Sequence, residues 1–335
     1  VIRLPAPAGR QPARALVAAL ASLALAALFG AGQAAAQYPA RAVKIVVPAT
    51  AGDGSDVLAR TLARAIGESL GQQFVIENKP GAGGSIGADA VAKAAPDGYT
   101  LFLGNGSSHG VTPGLYPRLP YDSVADFAPV ALISTAANVL VAGAAVPVES
   151  FADFAKLARG QPGRISIASA GNGSLSHLTV ELLRAGAKID LLHVPYKGAA
   201  PGVADVAGGQ VQAMIINIPT VLPLIKAGKL KALAVTSAKR AAVLPEVPTL
   251  AESGLAGFET LAWFGLLAPA KTSPEVVAAL HREVQKALAK PDVRETLARL
   301  GAEASGIGPA EFLTFIKSEI AKYGKVIRDA GIKVE

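Results

Sequence analysis

The sequence predicts an α/β fold built on two parallel sheets, and three observations carry that prediction. A short β-rich run, a Gly/Ser/Asn joint and a helix-period segment recur in that order along most of the chain. Such alternation builds parallel sheets flanked by helices. Behind a leader-like start, about 300 of the 335 residues remain, enough for roughly two domains with sizeable cores. Finally, three joints share one build and are spread over both halves: "VPATAGDGSDVLAR" (47–60), "GNGSSHG" (104–110) and "SAGNGSLSH" (169–177).

The leader comes first. Arg3, Arg10 and Arg14 precede an Ala/Leu run from Leu16 to Phe29, and Ala34-Ala35-Ala36 supplies small residues for cleavage. Residues 1–36 therefore read as a signal peptide; the run is short for a membrane span of roughly 20 residues, and an uncleaved anchor is the alternative. Val43 to Val47 is the first strand, followed by a helix with Leu58, Leu62, Ile66 and Leu70 at i+4 spacing. Phe74 to Glu77 is the next strand, then a helix from about Ser85 to Ala94 and a strand from Tyr99 to Leu103. A Pro/Tyr-rich connector leads to a strand at Asn138 to Ala142 and a helix near Ser150 to Ala158. "ISIAS" is a strand running into a glycine loop, and the helix behind it places Leu175, Leu178 and Leu182 on one face. "LLHVPYKG", "VQAMIINIP" and "LKALAVTS" are further strands. The last third is mostly helical, with Ser273 as an N-cap, Pro274 at the first helical position, and Val276, Leu280, Val284 and Leu288 as an apolar stripe.

Composition excludes several functions. With no cysteine there is no disulfide scaffold, thiolate metal site or Cys nucleophile. The net charge of +7 includes the leader arginines, and no Lys/Arg cluster is dense enough for nucleic acid. Four scattered histidines do not make a metal site, and no cofactor is implied. "PGAGGSIG" follows "ENK" rather than a strand and lacks the Lys-Ser/Thr ending of a phosphate loop.

The glycine joints are the best candidates for binding. Ligands of open α/β sheets sit beyond the carboxyl ends of the strands. There the first N–H groups of a helix lack internal partners and face a partial positive charge. A carboxylate or phosphate can bind without Lys or Arg; the plain alternative is that Gly and Ser only make tight turns. Ser174 fits an N-cap, which puts His177 in the first helical turn, where the dipole disfavours its protonation. A secreted α/β hydrolase using Ser174 and His177, or His109, is the enzymatic alternative, although the nucleophile-elbow spacing is missing. His193 reads as a structural residue of its strand.

Asp53 is the anomaly of the opening joint. Aimed at a bound carboxylate about 4 Å away, it would cost of order 4 kcal/mol, more than the roughly 0.3–1 kcal/mol a helix dipole returns. Either Asp53 caps the helix through the N–H of Ser55 or Asp56, or it recognises an amino or hydroxyl group on the ligand.

The segments "YPARAVKIVVPATAGDGSDVLAR", "VIENKPGAGGSIGADAVAKAAPDGYTLFLGN", "LPYDSVADFAPVALI", "ISIASAGNGSLSHLTVELL", "HVPYKGAAPGVADVAGGQVQAMI" and "LPEVPTLAESG" occur in that order. From about Tyr38 to the C-terminus the chain resembles the Bug-type (TctC-like) periplasmic receptors of tripartite tricarboxylate transport systems. The resemblance implies a two-lobed, type II periplasmic binding protein with hinge-crossing strands and no enzymatic activity. Its lobe 1 would comprise residues 38–137 and 261–335, and lobe 2 residues 138–260, with the strands near Asn138–Ala142 and Trp263–Leu267 crossing the hinge. It implies a periplasmic, monomeric receptor that closes on a small organic carboxylate (a di- or tricarboxylate, amino acid or aromatic acid) and delivers it to a membrane permease. A ligand-binding partner of a membrane sensor is the other alternative. Carried over, the ligand positions are Thr50, Ala51, Gly52, Gly54 and Ser55; Asn105, Gly106, Ser107, Ser108 and His109; Ser169, Ala170, Gly171, Gly173, Ser174 and His177; and Tyr196, Lys197 and Gly198, with Asn217 retained from the family pattern, while Asp53 joins the candidates on the reading of its own side chain. The chain departs from the family pattern at Ala49, where an aromatic is usual, at Asp53, which replaces a glycine, and at Ile216, which stands at the position of an acidic residue. Trp263, the lone tryptophan, is expected to pack at the hinge.

Overall fold

The computed structural model describes Ile2, residues 38–196 and residues 198–333. The chain divides into two units, Val1–Ala40 and Arg41–Glu335. The expected signal peptide, 1–36, lies outside the described residues apart from Ile2, and every element of the fold belongs to the second unit.

β1 (Val43–Val47), β2 (Phe74–Asn78) and β3 (Thr100–Asn105) form the expected parallel set in the order β2-β1-β3. α1 (Gly54–Leu70) and α2 (Ser85–Ala92) connect them. The sequence sets both ends of α1: Asp53 caps its start, and Gly71 ends it at φ +64°, a conformation glycine adopts without a Cβ clash. Leu58, Leu62 and Ile66 bury its inner face.

β4 (Phe127–Gly143) is one strand of 17 residues, of which the sequence reading anticipated only the far end. At about 3.3 Å per residue it spans roughly 55 Å. As far as Ala137 it pairs antiparallel with β9 (Leu261–Pro269) and briefly with β10 (Ala302–Ala304). From Asn138 onward it pairs antiparallel with β7 (Ala213–Asn217) and β8 (Leu230–Val235). β5 (Ser166–Ser169) lies parallel to β7, and β6 (Leu192–Pro195) parallel to β5, giving the order β2-β1-β3-β9-β4-β7-β5-β6. The two expected sheets are thus two sections of one mixed sheet with β4 common to both. Strand direction escaped the sequence because buried parallel and antiparallel strands read alike, as near-continuous apolar runs.

Helices cover both sections: α3 (Thr112–Leu115), α4 (Phe151–Gly160), α5 (Leu175–Ala187), α6 (Ala199–Ala207), α7 (Ile218–Lys226), α8 (Pro274–Ala289), α9 (Pro291–Arg299) and α10 (Pro309–Asp329). Ser150, Ser174 and Ser273 cap α4, α5 and α8. Side chains of β4 alternate, so Leu140 and Ala142 join Phe154, Ile167 and Leu183, while Val139 and Val141 join Val203, Met214 and Val235. In the first section Phe102, Leu132 and Leu267 pack with Phe312 and Ile316 of α10. Leu178 of α5 meets Val111, Leu115, Tyr323 and Ile327, a cluster tying the second section to the first. Burying each of these large side chains contributes roughly 1.5–3 kcal/mol.

Trp263 is fully buried in β9 and lies wholly within the first section. Its indole N–H donates to Glu319 at 3.1 Å, and its ring meets the edges of Phe312 and Phe315. The segment Trp263–Leu267 therefore does not itself cross between the sections. The return passage is made just before β9, where Thr260 N–H donates to Thr236 C=O and the Thr236 hydroxyl donates to Thr260 C=O at 2.6 Å. Thr236 also binds β4 at its change of partners, accepting the Asn138 N–H on its hydroxyl and donating its own N–H to Asn138 C=O.

Candidate ligand-binding site

The carboxyl ends of the parallel strands in both sections carry the loops singled out in the sequence. In the opening loop, Asp53 Oδ1 accepts the Ser55 N–H at 2.9 Å and the Ser55 hydroxyl at 2.8 Å. Asp53 is a cap, turned onto its own helix. Asp56, nearly inaccessible, holds the loop's shape by accepting from Gly52 N–H, Arg60 Nε and Asn78 Nδ2, each at 2.9 Å. Burial alone would raise its pKa, but the bonds from Arg60, Gly52 and Asn78 outweigh it and bring it down to about 2. Asn78 also donates to Ala49 C=O at 3.0 Å. Thr50, Ala51 and Gly52 are exposed. Among the described residues, no bond within the chain takes up the N–H groups of Ala51, Gly54 or Asp56. They are the donors an anion needs at a helix start.

The second loop closes on itself. Asn105 N–H donates to Ser108 Oγ at 3.1 Å, and Ser108 N–H donates to Asn105 Oδ1 at 3.0 Å. Ser108 and His109 are fully buried. His109 sits among Phe102, Tyr121 and Phe127, the last at 4.6 Å edge-on, with Nδ1 3.0 Å from Ser108 Oγ and Nε2 without a partner among the described residues. Burial pushes its pKa down to about 3. The expectation that the His109 side chain contacts ligand is corrected: apolar neighbours enclose it, leaving Asn105, Gly106 and Ser107 to form the loop's face.

In the third loop the Ser174 hydroxyl donates to Gly171 C=O at 2.7 Å and accepts the His177 N–H, capping α5. Ser176 Oγ accepts the Ala170 N–H at 2.9 Å. The His177 ring accepts the Gly173 N–H on Nδ1 at 3.1 Å, while its Nε2 lies 3.8 Å from Glu181 Oε1. Ser174 is thus bonded to the backbone of His177 and not to its ring. The Ser–His ring contacts among the described residues, Ser108–His109 and Ser169–His193, both involve a serine that is fully buried. Neither arrangement offers an activated nucleophile. His193 lies flat against His177, ring centroids 4.0 Å apart and planes 3° apart, and its Nε2 is 2.7 Å from Ser169 Oγ. Sequence reasoning missed this; its one signal was a second histidine three residues before Tyr196 of "VPYKG".

Tyr196 donates its hydroxyl to Asp205 at 2.6 Å, and burial with that carboxylate raises its pKa to about 12. Its expected ligand role is corrected in part, since the hydroxyl is committed to α6. Lys197 lies outside the described residues, and Gly198 is exposed at φ +105°. Asn217 ends β7 directly opposite Asn138 and accepts from the Thr220 hydroxyl.

The loops share one rim. A methyl group added at Gly84 would lie 3.0 Å from Ser108 Cβ and 3.1 Å from Pro48 Cβ, linking the first two loops. One at Gly106 would lie 3.5 Å from Leu175, at the end of the third. Gly54 meets Leu300, and Gly301 meets Pro219 at the start of α7, so residues 300–301 also belong to the rim. The chemistry on offer is hydrogen bonding to an anion by helix-start N–H groups, with Arg60 already paired to Asp56. Among the described residues, no group of three or more His, Asp or Glu could hold a metal ion, and no helix is long and apolar enough to cross a membrane.

Comparison with known proteins follows the same lines. The family model described as "Tripartite tricarboxylate transporter family receptor" matches residues 58–332. Protein BugT of Bordetella pertussis is 40% identical over 301 residues, covering 89% of this chain and 92% of its own. The structure of R. palustris Rpa4515 with adipate superposes with a TM-score of 0.81 at 39% identity, covering 89% of this chain and 99% of its own. That of MatC (Rpa3494) from Rhodopseudomonas palustris with bound malate gives 0.76 at 37% identity, over 87% and 100%.

Proposed function

The chain belongs to the receptor family of the tripartite tricarboxylate transporters, a family of solute-binding receptors and not of enzymes, and from that premise we propose that it captures a small organic carboxylate in the periplasm and delivers it to a tripartite tricarboxylate-type permease. One observation carries the carboxylate reading: unpaired N–H groups at the start of α1 share a rim with the 169–174 loop of the other sheet section. The neighbours with bound adipate and malate support a dicarboxylate as the ligand. We place the protein in the periplasm, reached through a signal peptide at 1–36; solved relatives described as a periplasmic transporter and as periplasmic binding protein BugD support the location. We place lobe 1 at 38–137 with 261–335 and lobe 2 at 138–260, because β4 changes partners between Ala137 and Asn138 and the chain returns at Thr260. Closure would then bend the chain at those two passages and bring residues 50–55 and 105–107 against 169–174 and Asn217.

The test is a thermal-shift screen of the chain from Gln37 against dicarboxylates, tricarboxylates, amino acids and aromatic acids. A ligand at 100 times its Kd adds about 2.7 kcal/mol of stability, so adipate or malate should raise the melting temperature in a concentration-dependent way. A well-folded protein unmoved by every acid would overturn the carboxylate reading. Loss of uptake of the ligand on deletion tests the permease step; retained uptake with a lost transcriptional response would favour a sensor role.

A further inference from the structure

The third loop is backed by two rings that no ligand contact requires. His177, in the first turn of α5, accepts the Gly173 N–H on Nδ1 at 3.1 Å. A nitrogen that accepts carries no hydrogen, so the neutral ring holds its proton on Nε2, toward Glu181. His193 bonds Ser169 Oγ at 2.7 Å, and the same oxygen accepts the Gly171 N–H at 3.2 Å. Each glycine N–H is therefore fixed by one arm of a single stack. Both glycines have positive φ, +130° at Gly171 and +72° at Gly173. The loop's shape depends on them.

Protonation would undo this arrangement. A charged His177 has no lone pair on Nδ1, so the Gly173 N–H would face a second donor. Two charged rings 4.0 Å apart would repel, and the start of α5 disfavours positive charge. The charged groups facing the pair are Glu181 and Arg184 of α5 and Asp190 ahead of β6, with Lys322, Lys325 and Asp329 of α10 lining the groove beside α5. Glu181 favours a cation on His177, but it already binds Arg184, whose own charge opposes one, and burial outweighs both. β5 and β7 contribute no charged side chain. Burial lowers the pKa of both rings, and that of His193, pushed further by His177 and Arg184, falls to about 4.

We propose that His177 and His193 form a positioning pair for the 169–174 loop: stacked and neutral they hold Gly171 and Gly173 in the ligand-presenting shape, and proton uptake by the pair releases the loop and weakens ligand binding. The proposal rests on the receptor reading only in taking this loop as part of the ligand site. For a lowered pKa the sign is fixed. The neutral arrangement is complete above about pH 6.5 and is lost as the pH falls through the folded-state values.

The experiment is a pH titration of the ligand-free, isotope-labelled chain by NMR, from about pH 8 to about pH 4, following both imidazoles and the amides of Gly171 and Gly173. The expected result is His177 as the Nε2–H tautomer at high pH, with both glycine amides shifting at the midpoints of the rings. Glycine amides that stay fixed while the rings titrate, or an Nδ1–H tautomer of His177, would overturn the positioning role. A second arm measures adipate and malate binding by calorimetry for the wild type and a His177→Asn/His193→Gln double variant, whose amides offer hydrogen-bonding groups that do not titrate. The ratio of the two affinities cancels the ligand's own titration. It should fall toward acid pH by up to about tenfold per pH unit for each proton taken up. A flat ratio with mobile glycine amides would overturn the link to ligand, and failure of both acids to bind would overturn the choice of a dicarboxylate while the amides still decide the pair.

Discussion

Lowering the pH should destabilise this protein through His109 in a way that one variant isolates. The ring is fully buried among Phe102, Tyr121 and Phe127, and its pKa falls from 6.5 to about 3. The folded state therefore refuses a proton that the unfolded chain accepts below about pH 6.5. For such a lowered value, the stability is present in full above the unfolded pKa and drains away as the pH falls toward the folded one. At about pH 5 the unfolded ring is one and a half units past its midpoint while the folded ring is still neutral. At about 1.4 kcal/mol per unit this comes to about 2 kcal/mol. The assay is urea unfolding of the wild type and His109→Leu at about pH 7 and about pH 5, with linear extrapolation. Leucine is close to histidine in volume and does not titrate. Whatever the variant costs at neutral pH, the gap between the two proteins should narrow by about 2 kcal/mol at the lower pH. His177, His193 and His281 remain in both and cancel. A gap that stays constant within about 0.5 kcal/mol would mean that His109 takes up its proton in the folded state, and that the ring is not enclosed as described.

Asp53→Ala should lower stability by about 1 kcal/mol, the usual worth of an N-cap, and leave the order of preferred ligands in a thermal-shift screen unchanged. Stronger binding of plain dicarboxylates with weaker binding of amino- or hydroxy-acids would show instead that Asp53 faces the ligand. Gly265→Ala should destabilise by at least 1–3 kcal/mol, because the new methyl would lie 2.0 Å from Phe312 Cζ beneath α10. A melting temperature equal to the wild type's would show that α10 packs less tightly on β9 than described.

What the sequence revealed was mostly local. Ser174, Ser273 and the Asp53 cap are legible because a cap satisfies its own helix within three residues. The glycine joints are legible because strand ends and helix starts leave a compositional mark. The antiparallel course of β4 and β9 left no such mark, since their pairing joins Phe127–Ala137 to residues on the other side of the whole middle section. Pro129 and the polar Ser134-Thr135 pair hid the length of β4 further; the register shifts in that stretch, between Pro129 and Ala131 and between Leu132 and Ser134. Side-chain direction was the hardest feature to see. "GNGSSHG" and "SAGNGSLSH" look alike, yet His109 turns into an aromatic core and His177 back onto its own loop. Only the packing of Phe102 and Phe127 on one side and of His193 on the other decides between them.

The long strand β4 also fixes the order in which the molecule can be assembled. Residues 138–260 can pair among themselves as β5 to β8 close on the far half of β4. The near half of β4 and the outer edge of β3 stay without a partner until β9 is available from beyond Thr260. Closing so long a loop costs chain entropy before any contact repays it. A chain threaded N-terminus first through a narrow export channel would thus be held back from its final form until its last third had passed. Until then it would carry two open strand edges, the kind of surface that invites association with other chains.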